Sequence, residues 1–410
     1  MIAATLGVVM IDVLDSIAGN RPGAPSSNMI ARSASRDRAN WYSVCSARNV
    51  REGTVTHMRI HRYLTPFATI ACIAFCASAS AQDAAYQKTK ADVVIFNGVY
   101  PGWPWICAGA SGTLYCVWRE GTIHDYSADG RIMLAQSSDK GRTWTEARVI
   151  VDEPNVDDRN VAIVELPNGE LLVNYNTYTA AKESLAMTAR SADGGKTWAP
   201  PQSVGIPNTR TRAAAVVLSN GDLLLPLYVA PGNGAVAALS YNNGRNWERV
   251  VVPDTEGFVG DEWTALEVEP KRIIGISRNN VSGSDGFFWV TESKDRGKTW
   301  SVPVKTNVQS ERYPSPAQLS MHGTTPTLVY SDRRMVSVAA VKTSDPAFVN
   351  WDVENRFRAY QYNPEATPLP DGSYPCSIQV TSKIRLIVDY EIGPAGNRIA
   401  GYYCTFPESW

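Results

Sequence analysis

The sequence predicts an all-β chain folded as a six-bladed propeller of four-stranded antiparallel blades, and three observations support this. One short turn recurs: "SSDKGRTW" at 137–144 returns as "SADGGKTW", "SYNNGRNW" and "SKDRGKTW", closing on Trp144, Trp198, Trp247 and Trp300. The intervals are 54, 49 and 53 residues, and a degraded fifth copy, "TSDPAFVNW", closes on Trp351 after another 51. A period this even marks a repeat architecture rather than scattered functional motifs. Between the turns the text is β throughout, with no 3.6-residue apolar stripe.

Taken in chain order, "ADVVIFNG" is an early strand, and "GTLYCVW", "GELLVNY", "GDLLLPLY" and "RIIGISR" are short apolar or alternating runs, most of them entered through a Gly turn. Roughly fifty residues hold four such strands with their turns, which is one blade. From Gln82 onward the chain divides into about six of these periods. The last strand, "IAGYYCTF", is expected to pair with "ADVVIFNG" in one blade, because an unclosed ring would expose two strand edges. In the repeated turn the Asp carboxylate accepts backbone N–H groups, the Gly takes a positive φ and the Trp packs the hairpin down. Asn242 stands for Asp in the third copy and still suits an Asx-type turn. Asp139, Asp193 and Asp295 are therefore read as scaffold, since a catalytic residue is needed once and not in every blade.

Composition excludes several classes of function. Net charge is -1 with 19% charged residues, and there is no basic run, so nucleic acid is not an expected partner. "MRIHRYLTPFATIACIAFCASASAQ" begins at Met58 with Arg59, His61 and Arg62, continues through an apolar run and ends in Ala79-Ser80-Ala81. This is the order of a secretory signal with an A-x-A cleavage site, and the run is short for a membrane span. Residues 1–57 read as a start assigned too far upstream, 58–81 as the signal peptide and 82–410 as the propeller, secreted or periplasmic. Of seven cysteines, Cys107, Cys116, Cys376 and Cys404 remain after cleavage, and three pairings are open to them. No C-x-x-C or H-E-x-x-H spacing points to zinc, and no metal or cofactor is expected. No sequence feature specifies an oligomeric state.

The S-x-D-x-G-x-T-W pattern spaced around a six-bladed ring resembles the Asp-box (BNR) repeats of the non-viral sialidase superfamily, over essentially all of the chain after the signal. The boxes are specific for fold and weak for activity. The resemblance implies an acid/base Asp about a dozen residues before the first box, which is Asp125 in "REGTIHDYSADG", with Asp129 as its rival. Arg119 matches an arginine near that Asp, and His124 is a neighbour the pattern does not demand. In "DEWTALEVEPKRIIGISRNN" the family's Glu falls on Glu262 and an arginine of its carboxylate-binding triad on Arg278. "YSDRRMVSVAAVKTSD" offers Arg333, beside Arg334, as a further triad arginine, and "SYPCSIQVTSKIRLIVDYE" places the nucleophilic Tyr at Tyr374.

What the resemblance implies is exo-glycosidase chemistry on a glycan. A sialoside carries a carboxylate on its anomeric carbon, so a neutral phenol is a better nucleophile than a carboxylate, and sialidases are the known Tyr exception among retaining glycosidases. One departure stands out: the R-I-P motif that supplies the family's first triad arginine reads Gly102-Trp103-Pro104. Either Arg119, Arg159 or another arginine substitutes, or the substrate differs. "DDRNVAI" adds Asp157, Asp158 and Arg159, which either line the cleft and bind sugar hydroxyls or form a local ion pair. Trp103, Trp105, Trp118 and Trp263 either stack on a sugar face or fill blade cores. Two other readings stay open: a glycan-binding propeller without activity, and a glycosidase or lyase with His124 as its base.

Overall fold

The computed structural model describes residues 85–410 apart from 230–233, 280–283, 311–314, 333–335, 363–370, 395 and 409. The upstream segment 1–57 and the signal 58–81 lie outside the described residues. Five consecutive antiparallel sheets, 102–151, 157–207, 209–251, 260–309 and 318–361, each run in chain order from one edge strand to the other. The sixth combines 376–405 with the early strand Val93–Asn97, which pairs Val93 with Gly401 and Val94 with Ala400. Six blades form, and the first and last strands close the ring as the sequence predicts. Among the described residues no helix is long and apolar enough to cross a membrane.

The first strand of each blade meets its neighbours around the axis, so the core is divided into wedges between blades. Leu172, Leu223 and Leu225 fill the wedge between the second and third blades, and Ile274, Phe288, Leu319 and Leu328 the one between the fourth and fifth. Trp118 and Trp263 are buried in these wedges, and the Trp263 indole donates to Leu227 O at 2.7 Å. The sugar-stacking reading therefore does not hold for these two. Cys107, Cys116, Cys376 and Cys404 all carry free thiols.

The boxed turns behave as scaffold. Asp139 accepts from Thr143 N at 2.9 Å, Thr143 Oγ1 at 2.7 Å and Ser137 Oγ at 2.8 Å, and Trp144 Nε1 donates to Gly141 O at 2.9 Å. These bonds, the Thr143 N–H foremost, hold the Asp139 carboxyl down to about 2. Asp193 and Asp295 repeat the pattern, and Asn242 keeps its backbone half through Asn246 N at 2.9 Å. Each box also fastens to the preceding blade. Gln136 donates to Gly194 O at 2.7 Å, Arg190 to Asn243 O, Arg272 to Pro346 O and Tyr403 to Lys140 O at 2.9 Å. Gly297 in the fourth blade packs on Leu224 of the third, where an added Cβ would lie 2.6 Å from Leu224 Cδ1.

Several axial strands are irregular, as are several outer pairings. Gly102–Ala108 shifts register between Gly102 and Trp105, Asp157–Glu165 between Arg159 and Ala162, and Gly260–Glu269 between Gly260 and Trp263. Trp103 and Asn160 take φ of 53° and 56°, the left-handed region that most side chains avoid. The third blade's axial strand is broken outright into Thr209–Thr211 and Val216–Val217. Asn174 plugs the break, donating to Ala213 O at 3.0 Å and accepting from Ala215 N at 3.2 Å. Bulges re-aim side chains, and here they turn residues of several blades toward one end of the axis.

Candidate active site

A cavity of about 260 Å³ opens there, lined by residues of five blades: Trp103, His124 and Asp125; Arg159, Asn160 and Tyr178; Arg210 and Tyr228; Glu262 and Arg278; and Tyr374. At one side Tyr374 Oη donates to Glu262 Oε2 at 3.2 Å, and Arg278 Nη1 lies 3.0 Å from the same oxygen and donates to Tyr374 Oη at 3.3 Å. Asp261 grips the other face of that guanidinium, 2.7 Å from Nη2 and 2.9 Å from Nε. Burial pushes the Arg278 pKa down, but Glu262, Tyr374 and Asp261 outweigh it and hold the guanidinium well above its ordinary value. The charge of Arg278 is thus fully compensated within the protein.

Tyr374 enters from the sixth blade, where Asp389 accepts its N–H at 2.7 Å together with that of Tyr390 at 2.8 Å. Arg212, which juts from the break in the third blade, lies beneath it. The Arg212 guanidinium is 5.2 Å from the Tyr374 ring centroid and 5.2 Å from that of Trp105, and donates to Tyr374 O at 3.1 Å. It is 3% exposed, and its Nε has no hydrogen-bond partner among the described residues. The phenol therefore stands between two cations, one at its oxygen and one over its ring, and both stabilise negative charge on it.

Asp125 lines the cavity from the exposed loop of the first blade. Its rival Asp129 is spent on the loop itself, accepting from Thr122 Oγ1 at 2.7 Å and from Ser127 Oγ, bonds that lower its pKa, Ser127 foremost. His124 also lines the cavity, and its Nδ1 lies 2.6 Å from Tyr100 Oη and 3.0 Å from Asp371 Oδ2, while Tyr100 donates to Asp371.

Two expected binding residues do not line the cavity. Arg119 is fully buried and makes a bidentate pair with Asp157 at 2.9 Å on both arms, with Nη1 donating to Ile123 O at 2.7 Å, so it props the Asp125 loop from below. Asp158 points into the second blade, where its Oδ2 accepts from Glu153 N at 2.8 Å and its Oδ1 has no hydrogen-bond partner among the described residues. Burial raises its pKa to about 7. The reason is the period of a strand: Asp157 and Arg159 share one face, and Asp158 takes the other. Arg159 does line the cavity, with its guanidinium 4.4 Å from the Trp103 ring centroid, so Trp103 presents its face to Arg159. Arg333 and Arg334 lie outside the described residues.

The sequence reading missed Arg210, Arg212, Tyr178 and Tyr228. "NTRTRAAAV" carried a signal, two arginines at i and i+2 ahead of a small-residue run, a spacing that on an unbroken strand would put both on one face.

Fold, boxes and axial cavity together define an Asp-box propeller of the sialidase-like superfamily. The chain belongs to the family of BNR repeat-like domains, whose model matches residues 112–384. No curated protein sequence matches it. Among solved structures it is similar to a protein of unknown function from Dyadobacter fermentans, at 18% identity over 78% of this chain and 99% of that one, with a TM-score of 0.65. It is also similar to the Hadza microbial sialidase Hz136, at 17% identity, 75% and 66% coverage and a TM-score of 0.59. The NanB sialidase of Streptococcus pneumoniae gives 11%, 79% and 71%, and 0.58. At these identities the similarity shows the fold.

Proposed function

We propose that the chain is an exported exo-glycoside hydrolase that removes a terminal sugar, sialic acid or another acidic sugar, from glycans. The observation that supports this best is the Tyr374–Glu262–Arg278 triangle, open to a cavity that Asp125 also lines. At about 260 Å³ the cavity falls below the ~300–1,000 Å³ of drug-sized sites and suits one terminal ring. Tyr374 attacks the anomeric carbon as Glu262 takes its proton, while Asp125 protonates the departing glycosidic oxygen. Asp125 then deprotonates a water that attacks the same carbon, and the Tyr374 oxygen leaves and recovers its proton from Glu262. The signal-like segment ending at Ala81 supports export.

The test is hydrolysis of fluorogenic glycosides, a sialoside first, by the wild type and by Tyr374→Phe. The expected result is turnover in the wild type and a loss of at least ~10³-fold in the variant. A folded wild type that hydrolyses nothing but binds glycans, with affinity kept in Tyr374→Phe, is instead a lectin-like propeller. The His124–Asp371 pairing favours a second reading in which His124 is the base. That reading requires His124→Ala to abolish a turnover that Tyr374→Phe leaves intact.

A further inference from the structure

Charge is divided unevenly across the cavity. On the Tyr374 side, Asp261 and Glu262 both pair with Arg278, Arg212 is buried beneath the Tyr374 ring and bonded to Tyr374 O, and Gly102 supplies no guanidinium. Among the described residues, the one cavity-lining guanidinium a carboxylate on the anomeric carbon would meet beside Tyr374 is Arg278, which is already paired with two carboxylates. The second and third blades reverse this. Arg119 and Arg159 share Asp157, the one carboxylate paired with either among the described residues, Arg119 already holds both of its oxygens, and Arg210 lies against Tyr178 beside Arg159.

Arg159 reaches Asp157 only at 3.5 Å and uses Nη2 to donate to His124 O at 3.1 Å. Burial lowers its pKa, as expected of a guanidinium short of counter-charge. Arg210 donates from Nε to Ser184 Oγ at 2.8 Å and has no carboxylate partner among the described residues. The two guanidiniums flank Tyr178, 5.2 and 4.9 Å from its ring centroid, and both line the cavity. Planar forks that stack on an aromatic ring and lack a full counter-charge are suited to bidentate recognition of an oxyanion.

We propose that Arg159 and Arg210 form an oxyanion subsite for a carboxylate or sulfate carried by the terminal sugar on ring carbons away from its anomeric centre. The substrate class is then a uronic acid or a sulfated sugar rather than a sugar with an anomeric carboxylate. The proposal rests on reading the cavity as a glycan site.

The experiment is calorimetric titration of the purified full-length chain with methyl glycosides in matched pairs: glucuronate and galacturonate against glucose and galactose, and galactose 6-sulfate against galactose. Methyl N-acetylneuraminate is a third arm. At least one oxyanion sugar is expected to bind ten-fold or more tighter than its neutral parent, and Arg210→Met, or Arg210→Gln if the first does not fold, to bring that ratio near one. The carboxylate and sulfate arms identify which group is held. Equal affinity within every pair, no binding at all, a preference that survives the folded Arg210 variant, or tight Arg210-independent binding of the neuraminate overturns the proposal. Turnover is read separately. Arg210-dependent binding without hydrolysis of the matching fluorogenic glycoside keeps the subsite and overturns the hydrolase reading, and hydrolysis indifferent to Arg210 does the reverse.

Discussion

Tyr374 and Asp158 show how strongly a neighbourhood decides what one ionisable side chain does. The phenol donates to Glu262 and sits between Arg212 and Arg278, whose charges would stabilise negative charge developing on its oxygen as the proton moves to Glu262. The Asp158 carboxyl has one N–H donor and an unpartnered oxygen, and burial lifts its pKa from 3.8 to about 7. Raised in the folded state, it favours folding fully below about pH 4 and loses that contribution as pH climbs toward 7. Asp158→Asn, which cannot ionise, is therefore expected to gain stability relative to the wild type between pH 5 and pH 8, by roughly 2–4 kcal/mol. Urea denaturation at both pH values measures this, and a difference independent of pH would contradict it.

At the scale of elements, the broken axial strand of the third blade carries much of the site. A continuous strand would keep Arg212 within the regular ladder. The break lets it reach under Tyr374, and Asn174 satisfies backbone groups the ladder no longer serves. Asn174→Ala leaves the Ala213 carbonyl and the Ala215 N–H buried and without this partner, at a cost of about 3 kcal/mol. Its denaturation midpoint should fall, and because Arg212 loses its anchorage, turnover should fall more than affinity for the sugar. Kinetics with kcat and KM resolved would show this, and unchanged kcat in a folded variant would remove the link.

This element also marks where the sequence stopped being legible. The boxes were readable because each is a local turn whose bonds span four residues, as from Thr143 to Asp139. Glu262, Arg278 and Tyr374 were assigned by resemblance and do meet in the cavity, although they stand 112 and 96 residues apart in the pairs that join them. Arg210 and Arg212 were visible only as a short strand, because their meaning depends on a break and, for Arg212, on neighbours two and three blades away. Arg119 was misplaced for a related reason: nothing local shows that Asp157, 38 residues on, will capture it.

For the whole molecule, stability depends on a ring that must close. Gly401 lies opposite Val93 in the closing pair, and a Cβ there would lie 2.7 Å from Val93 Cγ1 and 3.1 Å from Leu386 Cδ1. Gly401→Val overfills this joint, and overpacking costs about 1–3 kcal/mol. A fall of roughly 1–4 °C in melting temperature is expected, with the sugar-binding constant unchanged because the joint lies on the outer strands. Calorimetry of the variant beside the wild type tests both halves.

The rim fasteners also carry a direction in time. The second, third, fourth and fifth boxes each dock on a blade made just before them, so those joints can be set while the ribosome is still adding residues. The first box waits for Tyr403, 263 residues beyond its partner Lys140, and its blade must remain unfastened on that side until the sixth blade is made. A nascent chain stalled before the sixth blade would be an open arc with its joints in place, one edge exposed and Tyr374 not yet made.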